Sequence, residues 1–252
     1  MSWQGKIIRI DLGKGTVKSE PLNMEWAKTY IGQRGLGTKY LMSEIDPACD
    51  PLSPANKLIF ATGPLTATGA STGGRYSVIT KGPLTNAIAC SNSGGQFGAY
   101  LKLAGWDMLI LEGKSPKPVY IVVENEDVRI LPADGFIWGK TVWETEDMIR
   151  AKHQNPELRV AAIGVAGETM ARFACIVNDR DRAAGRSGVG AVMGSKNVKA
   201  IATFGNIGTK VNDGKAFLKA TRAAMDKLNP HAARERLSMR GTHSMLDVTH
   251  AY

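Results

Sequence analysis

Cysteine is scarce in this chain, with three in 252 residues, at positions 49, 90 and 175. No CxxC and no Cys/His ligand spacing occurs. An odd, dispersed set does not build a disulfide framework, so Cys49, Cys90 and Cys175 are expected as free buried thiols, with no iron–sulfur or zinc site from this chain alone. Histidine is equally sparse. Three of the four, His231, His243 and His250, follow no metal-binding pattern such as HExxH and read as ordinary polar residues. Aromatics make up 7% and are not interleaved with the basic residues, which removes the stacking platform of a single-strand binder. No apolar run approaches the roughly 18 residues of a membrane span, and the opening MSWQGKIIRIDL is not a signal peptide. These absences point to a soluble cytoplasmic protein that binds neither nucleic acid nor membrane.

What is abundant is glycine, 28 residues of it, together with a net charge of +9. The densest stretch is NDRDRAAGRSGVGAVMGSK, residues 178–196. Arg180, Arg182 and Arg186 alternate there with Asp179 and Asp181, and small residues follow. Guanidiniums beside accessible backbone N–H groups suit a phosphate-bearing ligand, because charge-assisted bonds and oriented amide dipoles offset its desolvation. SGVGAVMG then opens a helix whose N-terminus is aimed at the anion. The alternative is a tight glycine-rich turn with solvated arginines.

Along the chain, KIIRIDL–GKG–TVKSE reads as a β-hairpin. Asn23 caps a short helix with Trp26 and Tyr30. GQRGLG (32–37) follows helical rather than strand sequence, so it marks close packing of helix ends and not a dinucleotide loop. LGTKYLMSEI is helical, DPACDPLSP an irregular loop, and LIFAT (58–62) a buried strand. GPLT occurs at 63–66 and 82–85, each followed by a loop ending in Gly-Gly (73–74 and 94–95). Two copies suggest two similar loops on neighbouring strands, or a turn sequence shared by chance. Arg75 follows the first Gly-Gly, and Asn92 and Ser93 precede the second, where sites tend to form. WDMLILEG, KPVYIVVE and DVRILPA read as strands of an antiparallel sheet. Thr141 and Glu144 form a capping box for a helix to about His153. RVAAIG, RFACIV and VKAIATF complete an α+β pattern. From Asn212 a helix carries Phe217, Thr221, Ala224 and Leu228 on one side. The chain ends at Ala251-Tyr252 with no closing element.

The ordered series GKIIRIDLGKG, IGQRGLGTKYL, DPLSPANKLIFATGPLTATGASTGGRYSVITKGPLT, SNSGGQFGAYLKLAGWD, AAIGVAGE and NDRDRAAGRSGVGAVMGSKNVKAI resembles the N-terminal domain of tungsten-containing aldehyde ferredoxin oxidoreductases. The resemblance implies a pterin-binding domain over residues 1–210 and the incomplete start of a helical domain over 211–252. It further implies a β-rich base of two similar sheet halves, which the GPLT duplication fits, carrying a bis-pterin tungsten or molybdenum cofactor.

By position, Arg75 resembles a pterin-contacting arginine. Asn92, Ser93, Gly94 and Gly95 resemble the loop for one pterin, and Arg182, Ala183, Ala184, Gly185 and Arg186 the loop for the other. A magnesium ion between the pterin phosphates is implied, held by the backbone carbonyls of Asn92 and Ala183. The implied activity is oxidation of an aldehyde to a carboxylic acid, with electrons passing to ferredoxin or an iron–sulfur subunit. The family's [4Fe–4S] cysteines and acid/base residues belong to later domains. No catalytic residue is assigned here, although Glu168 and Asp179 lie near the motif. The expectation is therefore a fragment that needs C-terminal domains or a complementary chain, and that can also self-associate. The rival readings are a metal-free scaffold or dimerisation module, and a phosphate- or nucleic-acid-binding module suggested by the net charge.

Overall fold

Hydrophobic patterning in this chain resolves into twelve strands and nine helices among the described residues. The structure is a computed structural model that describes residues 2–251. Met1 and Tyr252, the latter part of the expectation about the chain's end, lie outside the described residues. The chain forms two compact units, residues 1–68 with 73–210, and residues 69–72 with 211–252.

In the first unit, β1 (Lys6–Asp11) and β2 (Thr16–Pro21) form the expected antiparallel hairpin. Two helices follow. Helix α1 (Met24–Tyr30) is capped where Trp26 N donates to Asn23 Oδ1 at 3.0 Å. Helix α2 (Gln33–Glu44) opens on the GQRGLG run, where close packing brings Gly37 against Ile79. Strands β3 (Leu58–Ala61), β4 (Tyr76–Lys81) and β5 (Ile88–Ser93) pair antiparallel in succession. Helix α3 (Phe97–Leu103), which the sequence did not announce, leads into β6 (Met108–Glu112). Strand β6 inserts parallel to β1 and antiparallel to β3, giving the sheet order β2-β1-β6-β3-β4-β5.

The same plan then repeats. Strands β7 (Val119–Glu124) and β8 (Asp127–Pro132) form a hairpin, and α4 (Val142–Lys152) starts in the expected capping box of Thr141 and Glu144. Strands β9 (Arg159–Ala162), β10 (Ile176–Asn178) and β11 (Arg182–Ala184) pair antiparallel, with the short α5 (Val165–Glu168) inserted between the first two. Helix α6 (Val189–Ser195) leads into β12 (Val198–Phe204), which lies parallel to β7 and antiparallel to β9. The second order, β8-β7-β12-β9-β10-β11, matches the first strand for strand.

Three expectations need correction. The strands of WDMLILEG, KPVYIVVE and DVRILPA are not one antiparallel sheet: β6 closes the first sheet while β7 and β8 open the second, and both sheets are mixed. In RFACIV only the end is strand, because β10 begins at Ile176. The GPLT copies do follow neighbouring strands, β3 and β4, but both strands belong to the first sheet, so the repeat does not mark the two halves of the fold. The first follows β3, beside the start of β4, and the second follows β4 at its far end, about 17 Å away for a six-residue strand.

Both faces of the central strands are buried, so their sequences are continuous apolar runs. Ile8, Ile10, Phe60, Val78 and Leu109 of the first sheet join Ile121, Val123, Ala161 and Ile201 of the second in one core, closed by Phe97 and Leu101 of α3 and Val189, Val192 and Met193 of α6. The opposite faces carry separate cores, under α1 and α2 for the first sheet and under α4 for the second. Helices α3 and α6 reach their sheets because Gly98 and Gly190 occupy equivalent places. A Cβ on Gly98 would stand 2.7 Å from Tyr76 Cβ at the start of β4, and one on Gly190 would stand 2.8 Å from the backbone of Ala174 just before β10.

Four lysines are buried in this unit, Lys81, Lys102, Lys196 and Lys199. Lys102 pairs with Asp107 and Lys199 with Glu168. Among the described residues Lys196 has only carbonyl partners, donating to Asn56 O at 2.5 Å and Gly113 O at 3.0 Å. Burial pushes its ammonium down to about 8, and burial also lowers Lys102 and Lys199. A folded-state value below the unfolded 10.5 means that the unfolded chain binds more protons between these limits, so stability rises with pH across that window. Unfolding free energy measured between pH 8 and 10.5 is expected to increase, and Lys196→Met to reduce the slope. An equal slope in the variant would contradict this.

The second unit is helical. In α7 (Gly214–Leu228), Asp213 caps the start by accepting from Ala216 N at 2.9 Å. Its inward stripe is Phe217, Thr221 and Met225, all half-buried, whereas Ala224 and Leu228 of the expected stripe are exposed. Helix α8 (Ala232–Arg240), a 3-10 turn over Gly241–Met245 and α9 (Leu246–His250) follow. His231 acts as an ordinary polar cap, with Nδ1 accepting from Ala233 N at 3.2 Å.

Candidate functional site

The edge strands of the two sheets, β5 and β11, come together, and with them the two glycine loops singled out in the sequence. Arg186 N donates to Ser91 Oγ at 3.0 Å, while Arg182 Cγ lies 3.1 Å from where a Cβ of Gly95 would be. Residues 91–95 and 182–186 therefore run past each other in opposite directions. Exchanging the two halves of the fold maps this seam onto itself.

Beneath the seam sits Asn178, fully buried at the end of β10. Its Oδ1 accepts from Ser93 Oγ at 2.6 Å and Tyr76 Oη at 2.9 Å, and its Nδ2 donates to Gly94 O at 3.0 Å. Burial raises the Tyr76 phenol well above its ordinary value, so it remains a protonated donor. The next residue, Asp179, receives Gln96 N at 2.6 Å and Phe97 N at 3.2 Å on Oδ2, which fills the space a side chain on Gly95 would need. Gly95 has φ +80° and lacks that side chain, so one position meets both a conformational and a steric demand. Asn178 and Asp179 lie in the stretch singled out in the sequence, but their roles beneath the seam were not recognised, and Tyr76 was missed altogether. The available signal was an asparagine ending the apolar run FACIV, a polar group entering the interior that must find partners there.

The outward side of the seam carries the expected polar groups. Arg75 is exposed and donates through Nη1 to Asn92 Oδ1 at 2.8 Å, and Asn92 Nδ2 donates to Ser77 Oγ at 3.2 Å. The Gly73-Gly74 turn joins this surface, since a Cβ on Gly74 would meet Gly95 O at 3.3 Å. Arg182, Ala183, Gly185 and Arg186 are exposed. Among the described residues the guanidiniums of Arg182 and Arg186 form no ion pair and no hydrogen bond, whereas Arg180 is taken up by Asp147 on α4. Ser93 and Ala184 face inward and are buried, backbone included, so they support their loops rather than line the outward surface.

Helix α6 does form from VGAVMGS, but it is wholly buried, and Gly190 N is bonded to Ala174 O at 2.9 Å. Its N-terminus is therefore not the anion site that the sequence suggested. Glu168 is likewise committed elsewhere, to Lys199 and to Gly139 N. The three cysteines are free and half-buried, and no group of three or more His, Cys, Asp or Glu that could hold a metal occurs among the described residues. Nor is any described helix long and apolar enough to cross a membrane.

Free guanidiniums, small residues and edge-strand peptide groups fit a large ligand bearing phosphates. Asn92, opposite Ser77, and Ala183, opposite Val177, both lie on edge strands, where alternate peptide groups are left out of the ladder. Carbonyl oxygens with phosphate oxygens make a hard donor set of the kind Mg²⁺ takes, without a protein cage.

Two sheets of matching strand order meeting at such a seam define an α+β fold of two equivalent halves that share one arginine-flanked edge. Residues 7–205 match the pattern of the aldehyde ferredoxin oxidoreductase N-terminal domain, and the chain belongs to that family. It is 54% identical over 224 residues to the tungsten-containing aldehyde ferredoxin oxidoreductase of Pyrococcus horikoshii, covering 89% of this chain and 37% of that one. With the corresponding protein of Pyrococcus furiosus it shares 49% over 245 residues, 97% of this chain and 40% of the relative. The aliphatic sulfonate oxidoreductase WOR-like subunit of Pyrococcus furiosus is 37% identical over 220 residues, 81% of this chain and 35% of its own. Among solved structures, the active site complex BamBC of benzoyl coenzyme A reductase in complex with 1,5-dienoyl-CoA superposes with a TM-score of 0.88 at 35% identity, over 91% of this chain and 35% of that one. The chain thus spans about two fifths of the length of the aldehyde ferredoxin oxidoreductases it matches.

Proposed function

We propose that the seam between β5 and β11 is the base on which a bis-pterin tungsten (or molybdenum) cofactor rests. The chain would be the cofactor-binding part of a cytoplasmic oxidoreductase that converts aldehydes to carboxylic acids and passes electrons to ferredoxin or an iron–sulfur subunit. The observation that carries this reading is the pair of guanidiniums, Arg182 and Arg186, unpaired among the described residues and set among small residues where the two equivalent edge strands meet. When bound, the metal–pterin group supplies the redox chemistry.

This chain's residues bind and orient. Arg182 and Arg186 neutralise phosphate charge, and Arg75, steadied by Asn92, adds a third cation. Gly94, Gly95, Ala183 and Gly185 let the ligand reach peptide groups, while buried Ala184 anchors its loop in the core and Ser93 fixes its own through Asn178. The backbone carbonyls of Asn92 and Ala183 would hold a magnesium ion, as hard oxygen donors suit that cation. The [4Fe–4S] cluster and the groups that move protons at the substrate belong to the part of the enzyme that these residues do not include, whether C-terminal domains or a complementary chain.

Elemental analysis tests the reading. Protein expressed with tungstate and a working pterin pathway is expected to carry tungsten or molybdenum in fixed proportion to magnesium and pterin phosphorus. A folded protein without these elements would overturn the assignment and leave a metal-free scaffold as the better description.

A further inference from the structure

The turn between β10 and β11 is built at some conformational cost. Asp179 and Arg180 both adopt left-handed backbone conformations, at φ 47° and 63°, although neither is glycine. Asp179 Oδ1 is shielded from solvent and has no hydrogen-bond partner among the described residues. Strained backbone and an unsatisfied buried oxygen persist where the surrounding structure over-determines a side chain's position. Here that position is reached across the seam. From the second half of the fold, Asp179 Oδ2 holds Gln96 N at 2.6 Å and Phe97 N at 3.2 Å in the first half, and receives Asn178 Nδ2 at 2.8 Å. Gly95 and Asp179 are matched, since any Cβ at Gly95 would displace the carboxylate.

We propose that Asp179 is the positioning residue of the SNSGG loop, fixing the conformation of Gly94 to Phe97 so that the loop is already shaped for its half of the cofactor. This rests on the reading of the seam as the cofactor site. Asp179 acts through the two amides it holds and through geometry rather than charge. An asparagine can offer the same oxygen to both amides, whereas alanine cannot.

The test uses Asp179→Ala and Asp179→Asn in the full chain, with two readouts. The first is hydrogen exchange at the Gln96 and Phe97 amides in cofactor-free protein. The second is tungsten or molybdenum and pterin phosphorus retained per folded chain after loading. Asp179→Ala is expected to speed exchange at both amides at least tenfold and to lower retained cofactor at least tenfold, and Asp179→Asn to restore both to within about twofold of the parent, the conservative rescue that hydrogen-bond geometry predicts. Parental values for Asp179→Ala would overturn the proposal, as would a folded Asp179→Asn as impaired as Asp179→Ala. If Asp179→Ala does not fold, Gly95→Ala replaces it, because the new methyl group dislodges the carboxylate from the other side; parental exchange in that variant overturns the proposal. Should the parent itself load no cofactor, the cofactor reading fails, while the exchange measurement still decides whether Asp179 shapes the loop.

Discussion

Asn178→Ala is expected to lower the unfolding free energy by about 3–6 kcal/mol. The side chain is fully buried and joins both halves, and its loss strands the hydroxyls of Tyr76 and Ser93 in the interior and the carbonyl of Gly94 at its half-buried edge. Each buried group left unsatisfied costs roughly 1–3 kcal/mol. Tyr76→Phe removes a single donor while keeping the ring packed against Phe60 and Phe97, so its cost should be nearer about 1 kcal/mol. Urea unfolding of the three proteins measures the difference as a shift in midpoint at unchanged slope. A loss below about 1 kcal/mol for Asn178→Ala would show that water replaces the amide and that the polar cluster does not bind the halves together.

The double variant Arg182→Ala/Arg186→Ala is expected to weaken retention of the cofactor by about 3–6 kcal/mol, on the order of 10²- to 10⁴-fold, if each guanidinium contributes a charge-assisted bond of about 1.5–3 kcal/mol. Both side chains are exposed and unpaired among the described residues, so the same variant should change fold stability by no more than about 0.5 kcal/mol. That separation of binding from folding distinguishes a ligand-facing cation from a structural one. Arg75→Ala should have a smaller effect, because its guanidinium already spends one hydrogen bond on Asn92. Tungsten and pterin phosphorus retained after dialysis at fixed salt provide the measure. A double variant that holds its cofactor like the parent would remove the central support for the proposed site.

Much of the fold was legible because local signals agreed with it. The Thr141–Glu144 capping box, the Asn23 cap and the hairpin of β1 and β2 each form as written. The two glycine loops were also legible as a pair, because glycine and arginine clusters announce backbone-lined, charged surfaces. The two equivalent halves were implied by the family resemblance and not by local signals. A strand buried on both faces needs only apolar bulk, so the equivalence shows not in the strands but in Gly98-Ala99 and Gly190-Ala191 at the helix–sheet contacts. The repeat that did catch the eye, GPLT, is a turn chemistry reused at opposite ends of one strand. Local composition likewise cannot show that Asp179 reaches Gln96, 83 residues earlier, since that contact exists only once both sheets are assembled.

A seam that maps onto itself has the geometry of a homodimer interface, here drawn from a single polypeptide. Tethering changes what such an interface can become. Two identical subunits must accept every substitution twice, on both sides of the axis. Joined through residues 113–118, the two sides differ: one is a serine- and glycine-rich loop steadied by the Asp179 carboxylate of the other half, the other a loop with two arginines unpaired among the described residues. The connection also keeps the two sides at high effective concentration. A nearly symmetric ligand laid across this cradle meets unequal hands, so its two ends are held in chemically different surroundings and need not behave alike.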